Sequence, residues 1–462
     1  MSNYEDDRLL NDSAPASTDP ADSVARPASR RDLLKRGAAT LGGVTLLAQD
    51  GSAQNAPAIQ TGTMNGRQFR AFVRHGTTAS VEELRLLPIS GRQVLVRTQA
   101  SQCCYSITVQ ALGKTPAAPA LVPGHGGVGV VEAVGPQVKR VQVGDRVIVC
   151  DTPQCGECYN CLRGRAYRCQ SHLRNPTVPY AQMADGTPVH QNGNHGSFGE
   201  LMVPYEEYCV AVSTDLPAAE LSLLTCTGAT GLSATMSFAP VEPGSSVVVF
   251  GAGPVGLSAI QGARIMGATE IIAVEPIRYR RELAQKLGAT IVLDPNVEGA
   301  NLVKKIQDLC KGPTTADRRF SGFRDGVPGS IDIGPDFVIE CSGGDLFPPK
   351  VERGPDPTGL LALRQAWEVA PAGGDLFTVA VGQKGDLTFP ANNWSNRGRT
   401  HHAGQLGGLS MKRDLPRYVR FIEKGLFDAK SIATKTYPLD QTLEAFQVTA
   451  DRTTVAAVVV FG

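Results

Sequence analysis

Cys155, Cys158, Cys161 and Cys169 follow one another at the spacing C-x2-C-x2-C-x7-C. Four thiolates spaced this way can wrap one tetrahedral zinc, because short loops set successive sulfurs about one ligand edge apart and the fourth closes the shell. A closed shell leaves no open position, so the metal is expected to be structural. A disulfide pair or free thiols are the alternatives, but Gly156 and the polar Glu157, Tyr159 and Asn160 between the cysteines suit a metal knuckle.

The cysteines end a longer stretch. It opens with Gly124-His125-Gly126-Gly127-Val128-Gly129, continues through the strand-like Val130 to Val134, and reaches Gly144-Asp145-Arg146-Val147. In order and spacing this resembles the zinc-dependent alcohol dehydrogenases of the medium-chain dehydrogenase/reductase family, and the resemblance extends from about Phe69 to the C-terminus. It implies an α/β fold: a GroES-like, β-rich catalytic domain and a Rossmann domain with a doubly wound parallel sheet. The implied boundaries are 59–227 for the catalytic domain, with a structural zinc lobe at 150–170, then 228–403 for the Rossmann domain and 404–462 for a return to the first. The resemblance also implies a second, catalytic zinc held by Cys104, His125 and Cys226, with one position left open for substrate. Ser106 would relay the substrate proton and Thr230 would pack against the nicotinamide. Two departures stand beside that site. The family's Gly-His-Glu is here Gly124-His125-Gly126, and the acid usually found three positions after the ligand cysteine is Ile107. Orienting carboxylates behind a metal ligand are typically worth about 10- to 100-fold in affinity or activity, so another carboxylate must substitute or the chemistry is altered.

Ser246-Val247-Val248-Val249-Phe250 is a short apolar run of the kind buried in a parallel sheet. Gly251-Ala252-Gly253-Pro254-Val255-Gly256 follows it and opens a helical segment. A second strand, Ile271 to Val274, then ends in Glu275. In this setting the glycines let a backbone approach a pyrophosphate at a helix N-terminus, and the acid takes the ribose hydroxyls. Gly251, Gly253, Pro254, Val255, Gly256, Glu275 and Arg280 are the expected cofactor-binding residues. Glu275 favours NAD over NADP, a preference tempered by Arg278 and Arg280. Many family members carry an arginine where Ala456 falls, and some a basic residue where Tyr105 stands, so phosphate binding would rest on backbone amides or on two insertions, 311–335 and 343–373. His172, His190, His195, His401 and His402 read as loop or surface residues. Asp151, four residues before Cys155, falls where the family often lines the pocket with an aromatic or apolar side chain, which implies either a polar or hydrogen-bonding substrate or a solvated loop aspartate.

With 462 residues, 42% of them hydrophobic and 19% charged, the chain has the composition of a soluble protein of more than one domain. Forty-five basic against 44 acidic residues leave no electrostatic footprint for nucleic acid. Residues 1–58 divide into a segment rich in Ser, Ala, Asp and Pro, read as disordered, and Ser29-Arg30-Arg31-Asp32-Leu33-Leu34-Lys35 before a weakly apolar run. This resembles a twin-arginine export signal, with Leu33 where Phe is usual, and implies a periplasmic or otherwise exported protein. Without a working signal it would be cytoplasmic. The run is too short for a stable membrane anchor. The expected function is a zinc-dependent, NAD-linked oxidoreductase interconverting an alcohol and an aldehyde or ketone, with two zincs per chain and, as is common in the family, a dimer or tetramer. One alternative resembles the formaldehyde dismutase branch, in which the nicotinamide is never released. The other is a catalytically silent homologue, suggested by the missing carboxylates.

Overall fold

A computed structural model of the chain describes residues 65–310, 334–391, 394 and 398–462. The export motif and nearly all of the insertion read at 311–335 lie outside the described residues. Within them the first half is β-rich. Gln68–Gly76, Thr78–Leu86, Ala181–Gln182, Pro188–Gln191 and Ala117–Val122 close into a small barrel. A second sheet runs in the order Cys209–Ala211, Arg146–Val149, Val128–Val134, Val94–Gln102, Ala457–Val460 and Lys435–Pro438, with Leu201–Met202 pairing on Val94–Gln102. Two strands of this sheet, Lys435–Pro438 and Ala457–Val460, come from the C-terminal part of the chain. No helix among the described residues is long and apolar enough to cross a membrane.

The second half is a six-stranded parallel sheet in the order Ile291–Leu293, Glu270–Val274, Ser246–Phe250, Phe337–Glu340, Asp375–Thr378 and Thr400–Ala403. Its central strand is apolar on both faces, and Val247, Val248, Val249 and Phe250 are all buried, as a sheet covered by helices on both sides requires. The helix Pro254–Ile265 begins at its proline, which is pre-set for the first helical position.

The segment 343–373 is not one insertion. Its second part, the helix Leu360–Val369, packs on Phe337–Glu340 and Asp375–Thr378 and is the crossover that joins these parallel neighbours. The strand Asp375–Thr378 ends where Val379, Ala380 and Val381 turn to line a cavity and Gly382 adopts φ +90°.

Candidate active site

Antiparallel pairing brings the site together. Val94–Gln102 pairs with Val128–Val134, which pairs with Arg146–Val149. The end of the first strand, the start of the second and the end of the third therefore share one edge of the sheet. Cys104 follows the first, His125 precedes the second and Asp151 follows the third. Cys226 reaches the same edge just before the helix Thr227–Ser233, and the Asp151 amide donates to Thr225 O at 3.1 Å.

The ligand atoms of Cys104, His125 and Cys226 lie within 4.8 Å of one another, and all three residues are buried. A hydrogen bond with Cys226 is the chief cause that holds the Cys104 thiol well below its ordinary value, against the effect of burial. The same bond, then burial, pushes Cys226 well up. Burial alone would lower His125, but the Asp151 carboxylate and the Cys104 thiolate outweigh it and bring it up to about 9. His125 Nε2 is buried with no hydrogen-bond partner among the described residues. Two thiols in hydrogen-bond contact beside a buried ring nitrogen are the donor set a zinc ion satisfies, with room for a fourth ligand. Ser106 Oγ is 3.2 Å from the Cys104 sulfur, and Thr230 Oγ1 donates to Cys226 O at 2.8 Å.

The missing carboxylates have physical reasons. Gly126 has φ +119°, and a Cβ there would lie 2.3 Å from Val149 O, so this backbone excludes the family's glutamate. Ile107 is buried in the apolar core. The carboxylate that lines the same cavity and acts on His125 is Asp151. Burial would raise it, but His125 and then His195 hold it below the usual range. His195, expected as a loop or surface residue, is 5% exposed and binds Asp151 Oδ1 through Nε2 at 3.2 Å. Its own carbonyl accepts the Gly126 N–H at 3.1 Å. His402 is also not a free surface group: it stacks on Phe377 at 4.7 Å and bonds Asp375.

Cys104, Ser106, His125, Cys226 and Thr230 line a cavity of about 920 Å³ together with Gly251, Gly253, Pro254, Val255, Glu275 and Arg280. The sheet edge bearing the metal cluster and the glycine turn thus open onto one space. Gly256 lies behind it, where a Cβ would meet Gly251 O at 1.8 Å. Glu275 Oε2 accepts the Ala252 N–H at 2.6 Å and Oε1 the Ile277 N–H at 2.9 Å, so the acid braces the glycine turn as well as facing the cavity. Arg280 is held by Tyr279 Oη at 3.1 Å and lies beside Gly253. Arg452, four residues before Ala456, lines the cavity and stacks 4.8 Å from the Tyr105 ring centre.

Residues 345–350 connect the two halves across this cavity. Asp345 pairs with Arg452, the Leu346 N–H donates to Tyr105 Oη at 2.9 Å, and Lys350 Nζ pairs with Asp451 at 2.8 Å.

Apart from this cavity, the sulfurs of Cys155, Cys158, Cys161 and Cys169 lie within 4.8 Å of one another. Cys158 and Cys169 are 4.0 Å apart, close to the ~3.8 Å edge of a zinc–thiolate tetrahedron and far beyond a disulfide. The N–H groups of Cys155 and Cys158 donate to sulfurs of the cluster at 3.3 Å each. These donors fit a closed zinc shell.

Residues 90–214 match the alcohol dehydrogenase GroES-like domain, and 254–352 match the zinc-binding dehydrogenase family. Alcohol dehydrogenase 6 of Peromyscus maniculatus is 30% identical over 381 residues, which cover 81% of this chain and 92% of that protein. The chain belongs to the zinc-dependent alcohol dehydrogenases. It is an enzyme of that family, a zinc-dependent, NAD-linked oxidoreductase acting between alcohol and carbonyl compounds. Among solved alcohol dehydrogenases, the zinc-binding domain protein from Burkholderia ambifaria superposes with a TM-score of 0.72 at 27% identity, covering 86% of this chain and 99% of that one. Benzyl alcohol dehydrogenase from Acinetobacter calcoaceticus gives 0.70 at 26%, covering 86% and 100%.

Sequence reasoning passed over His195, Arg452 and Asp345. Only Asp151 left a signal, as an acid at a strand end where the family often has an aromatic or apolar residue.

Proposed function

We propose that Cys104, His125 and Cys226 hold the catalytic zinc of this dehydrogenase, that Cys155, Cys158, Cys161 and Cys169 hold a structural one, and that NAD lies over Gly251 to Gly256 with Glu275 and Arg280 at its adenosine end. One observation carries the reading: a buried Cys-His-Cys cluster with an orphaned imidazole nitrogen shares a cavity with the glycine turn. When bound, the zinc supplies a Lewis acid to the substrate oxygen and the nicotinamide accepts a hydride. The chain's own part is to orient and to move a proton. Cys104, His125 and Cys226 are fixed by the sheet edge and by the Thr230 to Cys226 hydrogen bond. Ser106 Oγ, beside the Cys104 sulfur, accepts the substrate hydroxyl proton as it passes its own to water in the cavity it lines. The buried Glu275 carboxylate disfavours a 2′-phosphate and selects NAD. The test is oxidation of a primary alcohol by the purified enzyme with NAD or NADP as acceptor. NAD reduction that is lost in Cys104→Ala is expected, and NADP preference would overturn the role given to Glu275.

A second reading is that NAD is retained between turnovers, and the bridge from Asp345 to Lys350 favours it. A cofactor beneath a latched strap leaves only as fast as the strap opens. Denaturing protein purified without added nucleotide should release near-stoichiometric NAD, and Asp345→Ala should lose it on dilution. Ordinary saturation by added NAD in the wild type would contradict retention. Export by the twin-arginine route, supported by Ser29 to Lys35, fits both readings because that route carries folded, loaded proteins. Replacing Arg30 and Arg31 by lysine should leave the protein in the cytoplasm. Assembly as a dimer or tetramer completes the proposal, and light scattering tests it.

A further inference from the structure

The cavity that Cys104, His125 and Cys226 line is also lined by the carboxylates Asp151, Glu275, Asp345 and Asp356, and Asp151 is the one whose charge acts on His125. That carboxylate is fixed from behind. Its Oδ1 is held by His195 Nε2, and His195 is itself locked, with Nδ1 against Gly193 O and its ring stacked on Tyr208 at 4.7 Å and 20°. Oδ2 has no hydrogen-bond partner among the described residues, and the side chain keeps 34% of its surface open where it lines the cavity. A pinned acceptor of this kind has a clear consequence for what enters. An alkyl chain pressed against it strips its water and leaves a charged acceptor unpaired, whereas a group that donates a hydrogen bond satisfies it.

We propose that Asp151, braced by His195, selects alcohols that carry a second hydrogen-bond donor, a hydroxyl or an amine, apart from the carbinol that reacts. This rests on the site assignment above and adds the substrate class to it. One partly open acceptor discriminates less than a fully enclosed one, so the preference over a plain alcohol of equal length is about 10- to 100-fold in kcat/KM.

The test compares α,ω-diols and amino alcohols with primary alcohols of the same carbon count, in wild type, Asp151→Asn and Asp151→Leu, with zinc content measured in each. Asp151→Leu should collapse the diol-to-alcohol ratio of kcat/KM by the same 10- to 100-fold. Asp151→Asn, which keeps the shape and one acceptor, should fall between. The amino alcohols separate the two donors, since an ammonium should lose more than a hydroxyl in Asp151→Asn. If Leu does not fold, the Asn ratio decides alone. An unchanged ratio overturns the inference, and so does loss of a zinc from Asp151→Asn, which would make the residue a support of the metal instead. Oxidation of neither series by the wild type would overturn the site assignment and this inference with it.

Discussion

Adding a single methyl group at Gly126 should damage the enzyme out of proportion to its size. The residue sits at φ +119°, where an L side chain costs roughly 1–3 kcal/mol. The new Cβ would lie 2.3 Å from Val149 O and 3.3 Å from the Thr225 Cβ. Val149 cannot simply recede, because its N–H donates to Gly127 O at 2.8 Å, and relieving such overpacking costs about 1–3 kcal/mol more. Together Gly126→Ala should lose about 2–6 kcal/mol, a fall in Tm of roughly 2–7 °C at one fixed scan rate for a protein of this length. The strain falls beside His125, so zinc retention against a chelator should fall too. Calorimetry and metal analysis of the same preparation read both. A variant within about 1 °C of wild type with full zinc would refute the steric account of why the family's glutamate is absent.

Cys158→Ala should destabilise the fold by several kcal/mol, roughly the loss expected when a structural shell opens, whereas Cys104→Ala should abolish turnover with little change in Tm; equal thermal losses would contradict the division of roles. Ser106→Ala should lower kcat about 100-fold or more while leaving cofactor affinity intact, and an unchanged kcat with chemistry rate-limiting would remove its proton role. Burial raises the Glu340 pKa above its ordinary 4.5, against hydrogen bonds from Ser342, Gly343 and Gln383. A raised carboxyl binds more protons folded than unfolded, so its contribution to stability is fully present below the unfolded pKa and is lost as pH rises through the folded one. Glu340→Gln should flatten that fall in unfolding experiments from pH 4.5 upward, and an identical pH slope would contradict it.

What was legible in the chain was whatever one element carries by itself. The run Ser246 to Phe250 and the glycine turn after it are local signals, and the structure places both as expected. The two groups of cysteines that come together were grouped by spacing in one case and by family resemblance in the other. His195 was not, because its burial depends on Asp151, forty-four positions earlier, and on the Tyr208 ring. Arg452 was hidden for a different reason. It sits just after the helix Thr442–Ala450 at φ +58°, where glycine is the usual occupant, and its aim is set by Tyr105 and Asp345 from distant segments. Residues 343–373 looked like one proline-rich insertion because periodicity alone does not separate an added loop from a required crossover helix.

Native mass spectrometry of the wild type and of His125→Ala tests the two-site assignment most directly. Two zincs per wild-type chain are expected, and one per variant chain with its fold intact. A single zinc in the wild type, or two in His125→Ala, would contradict the assignment of Cys104, His125 and Cys226 as the catalytic metal site.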